Sequence, residues 1–187
     1  MTLFTFRTPT LDDAEMILDW RTRPEITRFM FTDIEPDLDR QRAWLTRCAG
    51  RDDFVHFIIQ HEAKPIGYLA YAEIDRLHRH CSPGTYLVLE PKQRFLAAFI
   101  QSFILDYAFY RLGMHKVLHY IMAGNEAFLG ARDVMGARAV GVLRQQVFKY
   151  GQFHDVHVFE ILESEWRERH HLFSQDKTLP AFPADGS

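Results

Sequence analysis

The stretch Val88-Leu89-Glu90-Pro91-Lys92-Gln93-Arg94-Phe95-Leu96-Ala97-Ala98 joins an apolar, strand-like run to a long amphipathic helix. A strand that enters a helix through a short polar loop leaves backbone N–H groups unpaired at the positive end of the helix dipole. Such a junction suits a phosphate or another anion. Lys92 and Arg94 add positive charge, while the loop has no glycine and carries the bulky Phe95. Other reactive side chains fall into less promising groups. His78, His80 and Cys81 invite a metal reading, but their spacing fits no closed tetrahedral site. His154 and His157 lie on opposite faces of one strand and cannot act as a pair.

The elements that must position the junction follow from periodicity. Leu96, Phe99, Ile100, Phe103, Ile104 and Tyr107 recur at helical spacing and predict a helix from Leu96 to Leu112 with one buried face, ended by Gly113. Upstream, Leu3 to Arg7 alternates like a half-buried strand. Thr10 then caps a helix with Asp12 and Asp13 in its first turn. The segment Asp19 to Glu25 should break that helix, because Arg23 precedes Pro24. A short helix restarts at Pro24 and another runs from Asp37 to Cys48. Phe54–Gln60, Pro65–Asp75 and Gly84–Leu89 read as strands, the first two joined as a hairpin by Glu62-Ala63-Lys64. Strand His115–Met122, helix Asn125–Met135, strands Ala139–Phe148 and Phe153–Leu162, and a closing helical turn at Glu163–His170 complete the order. Helices alternate with strands only in the second half. The expected fold class is therefore α/β (α+β), a mixed sheet of about seven strands, parallel where strand 84–89 crosses to strand 115–122, with the ligand cleft at their carboxyl ends. One domain over 1–171 and a loosely held tail over 172–187 are expected.

Composition excludes several function classes. The 187 residues are 47 % hydrophobic with 16 phenylalanines, enough for a full core. A net charge of −3 implies no general attraction to nucleic acid or to an anionic membrane. No apolar run approaches the roughly 18 residues of a membrane span, and the N-terminus lacks a signal-peptide pattern. Cys48 and Cys81 occur in unlike contexts, as in a reduced, cytoplasmic protein. Strand 153–162 reads as a sheet edge, so a homodimer is possible.

On this layout, several segments resemble the GCN5-related N-acetyltransferase (GNAT) family over residues 2–168. They are Ile66-Gly67-Tyr68 in the central hairpin, Asp106-Tyr107-Ala108-Phe109 with Leu112-Gly113-Met114-His115-Lys116-Val117, and Asn125-Glu126-Ala127 followed by Met135-Gly136. Gly141-Val142-Leu143-Arg144 with Phe148-Lys149, Gly151 and Asp155-Val156 is similar to the branch that acetylates ribosomal-protein N-termini and nucleotide-linked aminosugars. So are Asp19-Trp20-Arg21, Pro24-Glu25 and Phe29-Met30-Phe31.

The resemblance implies the acyl-CoA N-acyltransferase fold, with acetyl-CoA as co-substrate and a small-molecule or protein amine as acceptor. Backbone N–H groups of Leu87, Val88 and Leu89 would hold the thioester carbonyl. Lys92, Gln93, Arg94, Phe95, Leu96, Ala97 and Ala98 would meet the pyrophosphate. Asn125, Phe128 and Arg132 would flank the cofactor arm. The amine would attack directly, so catalysis is positioning plus oxyanion stabilisation. The ammonium must first lose a proton, for which Glu73 or Asp75 is the candidate base. Tyr86 is the candidate catalytic hydroxyl. Trp20, Arg21, Phe31, Arg144 and Lys149 would line the acceptor pocket.

The sequence departs from the family pattern at three places. Phe95 stands at the first glycine of the phosphate loop, Arg132 where a thiolate-protonating tyrosine is usual, and Ala137 where an aromatic follows the glycine. Arginine cannot serve as that acid, though it can pair with phosphate. Two other readings therefore stand beside acetyl transfer: a catalytically silent binding module, and transfer from a different acyl donor.

Overall fold

A computed structural model of the protein describes residues 4–90, 96–169 and 171. Its centre is the antiparallel hairpin of β2 (Val55–His61) and β3 (Lys64–Asp75). The turn is two residues long rather than three, because Lys64 already pairs with His61. Glu62 and Ala63 both adopt positive φ, +50° and +62°, the geometry that a two-residue hairpin turn needs to match strand twist. To either side lie β1 (Phe4–Arg7) on β2 and β4 (His80–Leu87) on β3, both antiparallel. The sheet continues through β5 (Lys116–Met122), β7 (Gln152–Leu162) and β6 (Arg138–Lys149), giving the order β1-β2-β3-β4-β5-β7-β6. This is the expected seven-strand mixed sheet, with β4–β5 as its parallel pair.

Two faces of the sheet bury two layers. On one face α4 (Leu96–Asp106) and α6 (Glu163–Arg169) cover Phe57, Ile59, Leu69, Tyr71 and Val117. On the other, α1 (Ala14–Thr22), α2 (Pro24–Thr27) and α3 (Leu38–Cys48) cover Ile58 and Tyr68 through Ile17, Trp20, Ile26 and Leu45. Alternation along β2 and β3 explains why both of their faces are apolar. α5 (Glu126–Met135) follows β5.

Several sequence expectations shift. The helix from Leu96 does not stay α-helical to Leu112: residues Tyr107–Arg111 form a π-helical turn before Gly113 at φ +68°. Leu105, Ala108 and Phe109 lie in the core as well, and Phe99 is 40 % exposed. Tyr71 donates its hydroxyl to the Ile104 carbonyl at 2.7 Å near this change of pitch. The first helix runs through Asp19–Thr22 and breaks only at Arg23, since the restraint before proline acts on that single residue. Strand β4 begins at His80, four residues earlier than expected, because its first residues pair with β5 far along the chain. It ends at Leu87, so Val88 and Leu89 lie beyond it. Finally, β7 is interior, flanked by β5 and β6; the outer strand is β6. Val140, Val142, Leu143 and Phe148 of β6 are exposed, and its register shifts between Ala139 and Gly141 and again between Leu143 and Val147. No described helix is long and apolar enough to cross a membrane. The 172–187 tail lies outside the described residues.

Candidate active site

Strands β4 and β5 pair only at His80↔Lys116 and Cys81↔Val117, and then part. Pro83 sits just past the last pair. In the β3–β4 ladder it opposes Tyr71, and counting back from the Val88 N–H bond to the Ile66 carbonyl places its nitrogen on the β5 side. A residue with no N–H cannot continue the ladder there. By the same alternation, the amides of Thr85 and Leu87 face the gap left by β5. Gly67 lets β3 and β4 approach at this point: a Cβ on it would lie 2.5 Å from the Tyr86 carbonyl oxygen and 2.7 Å from the Leu87 side chain.

The gap opens into a cavity of about 900 Å³. Its floor is β3 and β4, including Tyr68, Glu73, Thr85 and Tyr86; its far wall is His119–Met122 of β5 with Asn125 and Phe128; its roof is Arg21, the loop Phe29–Glu35, and Gln41 and Trp44 of α3. Aromatic contacts set the floor. Tyr68 stacks on Tyr86 with centroids 5.5 Å apart, Trp20 meets Tyr86 edge-on at 6.5 Å, and His56 Nδ1 lies 2.7 Å from the Tyr68 hydroxyl. Burial pushes both tyrosine hydroxyls above the usual phenol range, and the nearby Arg21 charge only partly offsets this for Tyr86. Burial holds His56 down, near pKa 4.

The roof is fastened by charge. Arg21 donates to the Thr32 carbonyl at 2.6 Å and to Thr27 Oγ1 at 3.3 Å, and desolvation lowers its pKa. Lys149, 4 % exposed, donates to the carbonyls of Thr27 and Met30 and pairs with Asp33 at 2.8 Å. Its hydrogen bond holds the Asp33 carboxyl below its ordinary value, with smaller help from Thr27 and from Arg21. Glu35 pairs with Arg40, and Asp37 caps α3 through the Arg40 amide.

The cavity thus brings together Glu73, Tyr86, Asn125, Phe128, Arg21 and Phe31 of the residues singled out in the sequence. Glu73 sits at a β-bulge with φ +52°, exposed on the rim and with no hydrogen bond or ion pair among the described residues. Asp75 is separated from it in role: the carboxylate takes the His78 amide at 2.7 Å and His78 Nδ1 at 2.9 Å, with His80 Nε2 at 3.7 Å. That arrangement accounts for the histidine cluster, and among the described residues no group of three His, Cys, Asp or Glu side chains could hold a metal. Asn125 begins α5, its carbonyl accepting from the amides of Phe128 and Leu129 at 3.0 Å each.

Other candidates stand apart from the cavity. Trp20 is buried behind Tyr86, Lys149 is the strut just described, and Arg144 is exposed on β6. Leu87 and Leu89 pack against the main core and Val88 against the α1–α3 layer. Leu96 is buried in the core and Ala97 is half-buried. Lys92, Gln93, Arg94 and Phe95 fall outside the described residues, as do the side chains of Ala98 and Arg132. Sequence reasoning missed His119, Tyr68 and Trp44. The available signal for His119 was a lone polar residue sharing a strand face with Val117 and Ile121.

A family profile for the acetyltransferase (GNAT) domain matches residues 4–137. The chain belongs to the GNAT acetyltransferase family. Its members are enzymes, and the seven-strand sheet parted at β4 and β5 is the family's acyl-CoA N-acyltransferase fold. Among relatives of this GNAT chain, the uncharacterized N-acetyltransferase YoaA of Bacillus subtilis (strain 168) is 26 % identical over 98 residues, 52 % of this chain and 55 % of that protein. The match thus spans little more than half of YoaA. The uncharacterized N-acetyltransferase p20 of Bacillus licheniformis is 22 % identical over 167 residues, 87 % of this chain and 94 % of that one. In structure, the chain is similar to the spermidine N-acetyltransferase of Vibrio cholerae crystallised with CoA and spermine. The TM-score is 0.80 at 21 % identity, covering 88 % of this chain and 98 % of that chain.

Proposed function

We propose that this GNAT protein transfers an acetyl group from acetyl-CoA to a primary amine by direct attack in a ternary complex, the acceptor being a nucleotide-linked aminosugar or a protein N-terminus. The observation that carries the reading is the two-pair β4–β5 ladder, which opens directly into the cavity. A thioester threaded through that fork meets the unshared amides of Thr85 and Leu87, donors suited to the oxyanion that forms as the amine attacks. On the acceptor side, Glu73 supplies a carboxylate for the ammonium proton, directly or through water. Nitrogen then bonds to the acyl carbon, the carbon–sulfur bond breaks, and CoA leaves as thiol or thiolate.

The charge of the lining favours an acceptor with one ammonium over a polyamine. Asp33 and Glu35 are committed to Lys149 and Arg40, and Asp37 to the end of α3, leaving Glu73 as the uncommitted carboxylate among these. Arg21, Arg40 and Arg47 also line the cavity, which suits an acceptor bearing phosphate or carboxylate elsewhere.

Thermal shift with acetyl-CoA is the first test. Ligand at 100 times its Kd stabilises by about 2.7 kcal/mol. Mass spectrometry of an aminosugar nucleotide, an N-terminal peptide and spermidine incubated with protein and acetyl-CoA then identifies the acceptor. No shift with millimolar acetyl-CoA or CoA ends the acetyl-CoA reading and leaves a silent fold or another donor. Acetylation of spermidine alone overturns the acceptor assignment.

A further inference from the structure

His119 is 4 % exposed, and its Nε2 is closed off from solvent with no hydrogen-bond partner among the described residues. It shares its face of β5 with Val117 and Ile121, both buried and apolar. Val117 is the last β5 residue paired with β4, so His119 is the first side chain on that face beyond the fork. It lines the cavity there, its ring 6.5 Å from that of Phe128. An apolar residue would fill such a place without leaving a buried polar atom unsatisfied, which is costly to stability. Burial keeps the imidazole uncharged, with a pKa near 4. A neutral ring at this depth carries one donor and one acceptor nitrogen, and does not attract an anion.

We propose that the His119 imidazole hydrogen-bonds the acyl-thioester arm of the donor as it passes through the fork between β4 and β5. The inference rests on the acetyl-CoA reading above and adds a residue to it. The fork is uncharged at His119 and edged by the Thr85 and Leu87 amides. A neutral chain carrying amide and thioester groups matches both features, whereas a charged acceptor does not. His119 is thus a binding residue for the arm, and no proton transfer is assigned to it.

The test uses the full chain and two substitutions, with binding measured by calorimetry. His119→Leu removes the polar atom and retains apolar bulk; His119→Gln retains a hydrogen-bonding group. The expected result is that H119L melts no lower than wild type without ligand, yet binds acetyl-CoA and S-acetylpantetheine about tenfold more weakly, the scale of one lost buried hydrogen bond. Its affinity for adenosine 3′,5′-bisphosphate stays unchanged, and H119Q binds acetyl-CoA within about threefold of wild type on the same scale. Equal binding of acetyl-CoA by H119L and wild type overturns the proposal and leaves the acetyl-CoA reading intact. So does an equal loss of both ligand-free stability and affinity in H119L and H119Q, which marks a structural role. If wild type itself binds neither acetyl-CoA nor S-acetylpantetheine, the underlying reading fails and the assignment of His119 falls with it.

Discussion

Lys149 Nζ lies 2.8 Å from Asp33 Oδ1 and donates to the Met30 carbonyl, so the tip of the β6–β7 hairpin holds the loop that roofs the cavity. The lysine side chain is 2 % exposed, whereas the aspartate side chain is 56 % exposed. Methionine can replace the lysine stem, but it leaves two backbone carbonyls without their donor. Lys149→Met should therefore cost about 1–3 kcal/mol in urea unfolding. With the loop loosened, KM for the amine should rise severalfold while the Kd for acetyl-CoA holds. An unchanged KM would show that the loop does not shape the acceptor site.

Gly67 is constrained by the strand beside it. An added methyl would meet the Tyr86 carbonyl at 2.5 Å, a backbone atom that cannot swing away. Gly67→Ala should destabilise by about 1–3 kcal/mol, as overpacking does. It should also displace β4 where the Thr85 and Leu87 amides face the fork, so acetyl-CoA affinity falls as well. Calorimetric binding beside thermal unfolding measures both.

Glu73→Gln keeps the shape of the rim and removes the charge. If this carboxylate accepts the ammonium proton, kcat falls by about 100-fold, the usual scale of lost general base catalysis. Acetyl-CoA affinity should remain as it was. A kcat within twofold of wild type would return Glu73 to an ordinary strand bulge.

Acid should destabilise the fold through two histidines. His56 and His119 both have folded-state pKa values near 4, below their ordinary value of 6.5. Between those values the unfolded chain binds more protons than the native one, so stability is highest above about pH 6.5 and declines as pH falls toward 4. The loss is at most about 3 kcal/mol per histidine. Denaturant unfolding across pH 7 to pH 4 reads this directly, and H119L should flatten its share of the slope.

Much of the architecture was legible because local pattern and burial agree. The apolar spacing of Ile100, Ile104 and Tyr107 placed α4, and two strand-like runs around Glu62-Ala63 placed the central hairpin. The start of β4 was not legible, since His80 and Cys81 become strand only by pairing with Lys116 and Val117. The interior position of β7 was hidden for the same reason: its neighbours are fixed by topology rather than by its own residues. At the site, carboxylate type suggested both Glu73 and Asp75, and only geometry shows that Asp75 is spent on His78. Lys149 looked like a pocket cation because composition cannot reveal that a charge is already engaged.

The two register shifts of β6 leave its outer border in short lengths, Gly141–Leu143 and Val147–Lys149, each out of step with the next. A foreign strand aligning with one length is misaligned with the other. The apolar side chains along this border are therefore displayed without forming a continuous template for fibril growth.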